Sequence, residues 1–441
     1  MNTEQLVTLA VLAAVVAALI WDKVRSDVVA LTGAAVLLLS GAVRPVEVQV
    51  AFASPAIIAL ASLFVIAYAM ELSGLLDLMI RSAVKLCRFT GAMGLWGVIV
   101  LCGAASAFLN NSPIVVLASP VVRDVANSLG LSPKRFLMPL SYVTVLGGCC
   151  TLIGTSTNLL VNDMARAGGE RPFGIFEVTP VGVSIAVAGA LYLLLFGGRL
   201  LRQAEPAPAD TPTAPPPGAV EGESVGEPAV FAAERPLRPL RAIASLVVFV
   251  GVIVIAAYGL APIAASAFAG AVLLVLLRVI GPDEAYGGLR PQILLLIAGM
   301  VVLGLALEQT GLAAAATNAL VDSVEPLGPL LALVLLYGAT LFLTELLSNA
   351  TVAVLLTPVA VALAESLGVE ARPFVVAVMM AGSAAFATPF GYQTNVLVYQ
   401  MGRYNYMDFV RVGLPLNVVT WVVGSLAIPV FFPFQAATPG G

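Results

Sequence analysis

The 441-residue chain contains no histidine. Imidazole metal ligands, histidine general bases and histidine proton relays are thereby excluded. Charge is scarce too. Lys, Arg, Asp and Glu make up 10% of the residues, against about 25% in soluble domains. No stretch is basic enough for nucleic acid. The four cysteines, Cys87, Cys102, Cys149 and Cys150, show no metal-ligand spacing and lie in apolar surroundings, so they read as small hydrophobes. No cleavable signal peptide is indicated. LVTLAVLAAVVAALI follows an acidic, not a basic, start and no small-residue cleavage site follows it, so it reads as a first spanning helix. No nucleophile–base pair or metal set is evident, which argues against an enzyme and against a bound cofactor.

What the chain has is apolar sequence: 60% hydrophobic residues and a mean hydropathy of +1.02. That composition predicts an all-α polytopic membrane protein. Apolar segments fall at about 4–21, 28–43, 56–72, 92–109, 113–128, 135–162 and 178–200. They resume at about 240–257, 261–280, 292–309, 329–347, 352–366, 373–400 and 412–433. Between them, residues 203–235 are rich in Pro, Ala and acidic side chains and read as a disordered linker.

The two halves, 1–202 and 236–441, repeat each other at a near-constant offset of 237 or 238 residues. Gly33 and Pro45 recur as Gly270 and Pro282, and ELSGL at 71–75 as EQTGL at 308–312. NSPIVVLASP at 111–120 recurs as NATVAVLLTP at 349–358, and TNLLV at 157–161 as TNVLV at 394–398. Internal repeats of this size in a membrane protein point to a transporter.

The pairs within 92–128 and 329–366 each flank a polar break, Asn110-Asn111-Ser112 and Ser348-Asn349-Ala350-Thr351. Read as re-entrant hairpins, they leave five spanning helices per repeat, and an odd number inverts the second repeat. With both termini outside, 17 of the 21 Lys and Arg lie on the cytoplasmic side, the linker included, and only Arg44, Arg166, Arg171 and Arg372 lie outside. Residues 74–89 read as an interfacial amphipathic helix, with 311–328 as its counterpart. A second break interrupts each repeat: LIGTSTN (152–158) in segment 135–162 and ATPFGYQTN (387–395) in segment 373–400. Irregular backbone at membrane depth must be buried in protein or line a cavity. Helix starts offer N–H groups to an anion, while carbonyl, Asn and hydroxyl oxygens suit a hard cation. The four breaks therefore read as one substrate and coupling-ion site near the midplane. Glu345, beside the second tip, is an intramembrane carboxylate and a candidate for proton or cation coupling; Ala107 holds its place in the first half.

The tandem tips, GGCCTLIGTSTNLLV (147–161) and FATPFGYQTNVLVYQMGRYNYMDFVRVGLPLN (386–417) resemble the divalent anion:sodium symporter family of the ion transporter superfamily. They are most similar to the bacterial sulfate-permease branch that carries TrkA-C domains, which have no counterpart in this sequence. The resemblance implies a homodimer of inverted repeats in a bacterial-type plasma membrane, working as an elevator. It implies Na+, with H+ as the alternative, as coupling ion, and sulfate ahead of a C4-dicarboxylate as substrate. Carried over, the ion ligands are Ser106, Asn110, Asn111, Gly154 and Asn158 in one half and Thr344, Ser348, Asn349, Ala387 and Asn395 in the other. The anion falls to Asn111, Ser112, Thr155, Ser156, Asn349, Thr351, Thr388 and Pro389. The family's Ser-Asn-Thr tips become Asn-Asn-Ser and Ser-Asn-Ala here. The same superfamily includes cation/proton antiporters and arsenite-type efflux proteins, and Glu345 is the feature that favours that alternative.

Overall fold

The computed structural model describes residues 3–21, 24–75, 78, 91–201, 237–258, 260–289, 291–312, 328–389 and 391–436. The linker 203–235 and nearly all of 74–89 and 311–328 lie outside them. Among the described residues, helix is the regular structure throughout; the one β-like feature is an isolated bridge between Val369 and Ala436.

The first half runs α1 (Thr3–Trp21), α2 (Ser26–Leu39), α3 (Pro45–Phe52), α4 (Pro55–Leu72), α5 (Ala92–Ser106), α6 (Asn111–Ser128), α7 (Lys134–Gly148), α8 (Ser156–Ala167) and α9 (Thr179–Tyr192). The second runs α10 (Pro239–Ala257), α11 (Ile263–Leu276), α12 (Pro282–Gly288), α13 (Pro291–Gln309), α14 (Gly328–Thr344), α15 (Asn349–Ser366), α16 (Arg372–Gly382), α17 (Gln393–Gly402) and α18 (Tyr406–Phe431). The order of elements repeats, and so does local chemistry. Pro opens α3 and α12 at the position where its missing N–H costs nothing. Glu47 accepts the Arg44 N–H at 2.7 Å, and Glu284 accepts the Gly281 N–H at 2.8 Å, the same three-residue loop closed before each helix.

Packing exchanges elements between the halves. α2 lies on α13, and α11 on α4; α6 lies on α17, and α15 on α8; α9 lies on α18. The helices α7 and α16 run through the centre and are buried on all sides from Phe136 to Gly148 and from Pro373 to Gly382. Outward faces carry large apolar side chains such as Leu39, Met93, Leu240 and Val430, as hydrocarbon solvent requires.

Five described helices are long and apolar enough to cross a membrane: 45–72, 179–197, 239–256, 349–366 and 406–431. Ten crossings were expected from hydropathy. The breaks divide two of the expected segments, 135–162 and 373–400, into pairs of short helices, and other described apolar helices, such as Asp27–Leu39 and Ile263–Leu276, are shorter than a full crossing. The arm 349–366, assigned to a hairpin from its sequence, is itself of spanning length.

Glycine permits the closest approaches. A Cβ on Gly147 would lie 2.0 Å from Gly103 O, where α7 crosses α5. In the last helix of each half, a Cβ on Gly182 would lie 2.5 Å from Cys149 O, and one on Gly413 would lie 1.9 Å from Phe386 O. Both neighbours are backbone of the interrupted stretches. Backbone cannot rotate out of the way, so Gly413→Ala and Gly182→Ala are each expected to cost about 1–3 kcal/mol. Thermal unfolding in detergent will read this as a lower midpoint, whereas Gly251→Ala, with open space around it, will leave it unchanged.

Candidate functional site: two tips and two broken helices

Each polar break caps the helix that follows. Asn110 Oδ1 accepts the Ser112 N–H at 3.2 Å, Ser348 Oγ accepts the Thr351 N–H at 3.2 Å, and Thr155 Oγ1 accepts the Thr157 N–H at 3.4 Å. The caps hold α6, α15 and α8 at the breaks with their remaining N–H groups directed there.

The two broken helices share one internal lock. Thr151 Oγ1 accepts the Gly154 N–H at 3.1 Å and donates to Ala107 O at the first tip. Thr388 Oγ1 accepts the Gly391 N–H at 3.0 Å and donates to Glu345 O at the second tip, at 3.5 Å. Asn158 Nδ2 donates to Thr151 O at 2.9 Å; Asn395 Nδ2 donates to Ala385 O at 2.9 Å and lies 3.3 Å from Thr388 O. The signature is Thr-x-x-Gly-x-x-x-Asn, TLIGTSTN and TPFGYQTN. In this register the equivalent of Gly154 is Gly391, whereas the family pattern placed Ala387 opposite the second tip. The equivalent of Thr388 is Thr151, not Thr155.

Around the first tip, oxygen atoms pack closely against two glycines. Ser106 donates its hydroxyl to Asn111 Oδ1. A Cβ on Gly148 would lie 2.7 Å from that Oδ1 and 3.3 Å from Gly154 O; one on Gly154 would lie 2.4 Å from Gly148 O and 2.9 Å from Ala107 O. Ser106, Asn111, Gly154 and the added Gly148 and Ala107 thus present hydroxyl, amide and carbonyl oxygens, a donor set suited to a hard monovalent cation.

The first tip also reaches the other half. Asn111 Nδ2 donates to Tyr392 Oη at 2.7 Å, and Ser112 Oγ donates to Gln393 Oε1 at 3.0 Å. Ser112 is in the first turn of α6 and Gln393 begins α17, so two helix N-termini meet at this contact. Among the described residues, no Lys or Arg takes part in the hydrogen bonds of either tip.

The second tip engages its own broken helix. Thr344 Oγ1 lies 2.8 Å from Asn349 Oδ1 and 2.9 Å from Gly382 O. Thr351 is buried against Ser348, with hydroxyls 2.8 Å apart. Glu345 Oε1 accepts from Phe386 N–H (2.8 Å), Ala387 N–H (2.7 Å) and Asn417 Nδ2 (2.7 Å). Ala387 therefore turns its amide to a carboxylate. Asn158 and Asn395 are wholly buried, and each spends its amide N–H on the lock. Ser156 and Thr155 start α8, and Pro389 lies buried in the second unwound stretch. Thr151, Gly148, Tyr392, Gln393 and Asn417 were not singled out from the sequence. The repeated Thr-x-x-Gly-x-x-x-Asn would have yielded Thr151; nothing local marks Asn417.

Thr151 serves two backbone groups through its hydroxyl and the Asn158 amide through its carbonyl. Thr151→Val leaves Ala107 O and the Gly154 N–H without that hydroxyl, at a cost of about 1–3 kcal/mol. Thr151→Ser will restore most of the lost thermal midpoint; equal destabilisation by Val and Ser would assign the effect to packing.

Known proteins were compared with this chain. A family model described as "Citrate transporter" matches residues 16–381. An uncharacterized transporter of Synechocystis sp., sll0640, is 26% identical over 97% of this chain and 97% of its own length. The probable sodium/sulfate cotransporter 3 of Chlamydomonas reinhardtii is 43% identical over a short segment, 20% of this chain and 11% of that protein. The crystal structure of the YdaH transporter of Alcanivorax borkumensis superposes with a TM-score of 0.61 at 15% identity, covering 87% of this chain and 86% of that one, which supports the fold alone. The chain is a multi-pass membrane transporter and not an enzyme; matched by that model over most of its length, it belongs to the citrate transporter family, within the ion transporter superfamily.

Proposed function

We propose that the protein imports a small divalent anion together with Na+. The observation that carries this reading is the Ser112–Gln393 contact, where the N-termini of α6 and α17 meet. Each helix start carries about half a positive charge, and an anion seated there gains both without any Lys or Arg. Such compensation is partial for a dianion. The oxygen set at Ser106, Asn111, Gly148 and Gly154 adjoins it through Asn111, so a cation held there supplies the missing charge. A divalent anion in a buried site without that cation is poorly compensated, which makes coupling obligatory on physical grounds.

Sulfate is favoured as substrate. The name of the short-segment relative supports it, and the family description adds citrate as the competing candidate. Asn111, Ser112, Thr155, Ser156, Asn349, Thr351, Thr388 and Pro389 form the anion side of the reading. Ser106, Asn110, Asn111, Gly154, Asn158, Thr344, Ser348, Asn349, Ala387 and Asn395 form the cation side. The reciprocal packing of α2 on α13 with α11 on α4, and of α6 on α17 with α15 on α8, supports two inverted repeats. Hairpins moving as a body within a homodimer, an elevator, are the part of this reading that rests on the resemblance to the divalent anion:sodium symporters.

The test is radiolabelled sulfate uptake into proteoliposomes with and without an inward Na+ gradient. Wild type is expected to need Na+, Asn111→Ala to lose uptake, and Ser112→Ala to lower it at least tenfold. Unlabelled succinate and citrate are added as competitors. Na+-independent uptake, or uptake driven by a proton gradient alone, would overturn the coupling; no uptake of labelled sulfate under any gradient, with uptake of labelled citrate or succinate, would replace the substrate.

A further inference from the structure

The two tips are chemically unequal. In the first, the position after Ser106 is Ala107; in the second, the position after Thr344 is Glu345. All three donors that reach the Glu345 carboxylate, two backbone N–H groups and the Asn417 amide, go to Oε1. Oε2 is buried without a hydrogen-bond partner. An anionic oxygen without a partner and without water is costly. A second orphan lies beside it. Asn417, 7% exposed, gives its Nδ2 to Oε1, and its own Oδ1 is buried without a partner. The covalent geometry of that amide keeps Oδ1 close to the carboxylate.

Both orphans are acceptors, and Gly391 lies beside the carboxylate. A Cβ on Gly391 would lie 2.8 Å from Ala385 Cβ, 2.8 Å from Thr388 Oγ1 and 3.3 Å from Glu345 Oε2. Gly391 is the structural equivalent of Gly154, which packs closely against the oxygens of the first cradle. The second half thus repeats the cradle but lines it with a carboxylate where the first offers the Ala107 and Gly148 carbonyls.

We infer that Glu345 Oε2, Asn417 Oδ1 and Thr388 Oγ1, around Gly391, form a binding position for a monovalent cation, separate from the Thr344–Asn349 pair. The site rests on the cation-coupled reading above and deepens it. A cation there neutralises Glu345, so it adds nothing to the compensation of the anion. It joins hairpin, broken helix and α18 in one ion-dependent unit, and it raises the number of cations held per chain by one over the tip sites. Two oxygens without donors are satisfied by the same ion.

Equilibrium binding of 22Na+ to the purified full-length protein, without any anion, tests this. Glu345→Gln keeps the oxygen that accepts from Phe386, Ala387 and Asn417, so the fold is retained; it is expected to bind one Na+ fewer per chain. Asn417→Ala is a second route to the same site and is expected to raise the half-saturating Na+ of one component at least tenfold. Ser106→Ala, at the first cradle, is expected to weaken a different component and leave the Glu345 component in place. Wild-type stoichiometry and affinity in both Glu345→Gln and Asn417→Ala, the result if a water or a proton fills the space, overturns the inference and leaves the coupling reading standing. Absence of Na+ binding in wild type overturns both.

Discussion

Two threonine hydroxyls carry the constraint on which the rest of the architecture depends. A helix that stops inside a membrane exposes N–H and C=O groups that lipid cannot satisfy. Thr151 and Thr388 answer this twice over: each hydroxyl takes the N–H of the glycine three residues on and gives its proton to a hairpin-tip carbonyl. Asn158 and Asn395 then fasten the start of the next helix to the same loop. Hairpin and broken helix are in this way one hydrogen-bonded unit in each half. Without that lock, neither interruption could be kept apart from a continuous helix.

Satisfying the loops from within frees the glycines beside them for another task. Gly182 and Gly413 let α9 and α18 press on the backbone of the two interrupted stretches. Gly148 and Gly154 let the loop oxygens, Asn111 Oδ1 and Ala107 O among them, draw close together. The same absence of a side chain serves close helix packing on one side of the loop and a cluster of oxygens on the other.

The halves agree in geometry and differ in charge. Asn111 and Ser112 reach across to Tyr392 and Gln393, while the second tip is tied to its own half through Glu345. A carboxylate whose donors all reach one oxygen breaks the equivalence that the repeated backbone sets up. The two tips therefore carry one neutral and one acidic set of oxygens.

The sequence by itself determined the class. Scarce charge and long apolar runs leave no soluble solution, and ordered matches at an offset of 237 or 238 point to two repeats. The breaks at 110–112, 152–158, 348–351 and 387–395 were legible because polar residues in apolar runs need a reason. Tertiary structure alone decided the partners. That Ser112 meets Gln393, or Asn417 meets Glu345 across 72 positions, depends on which helices exchange between halves, and hydropathy is blind to that.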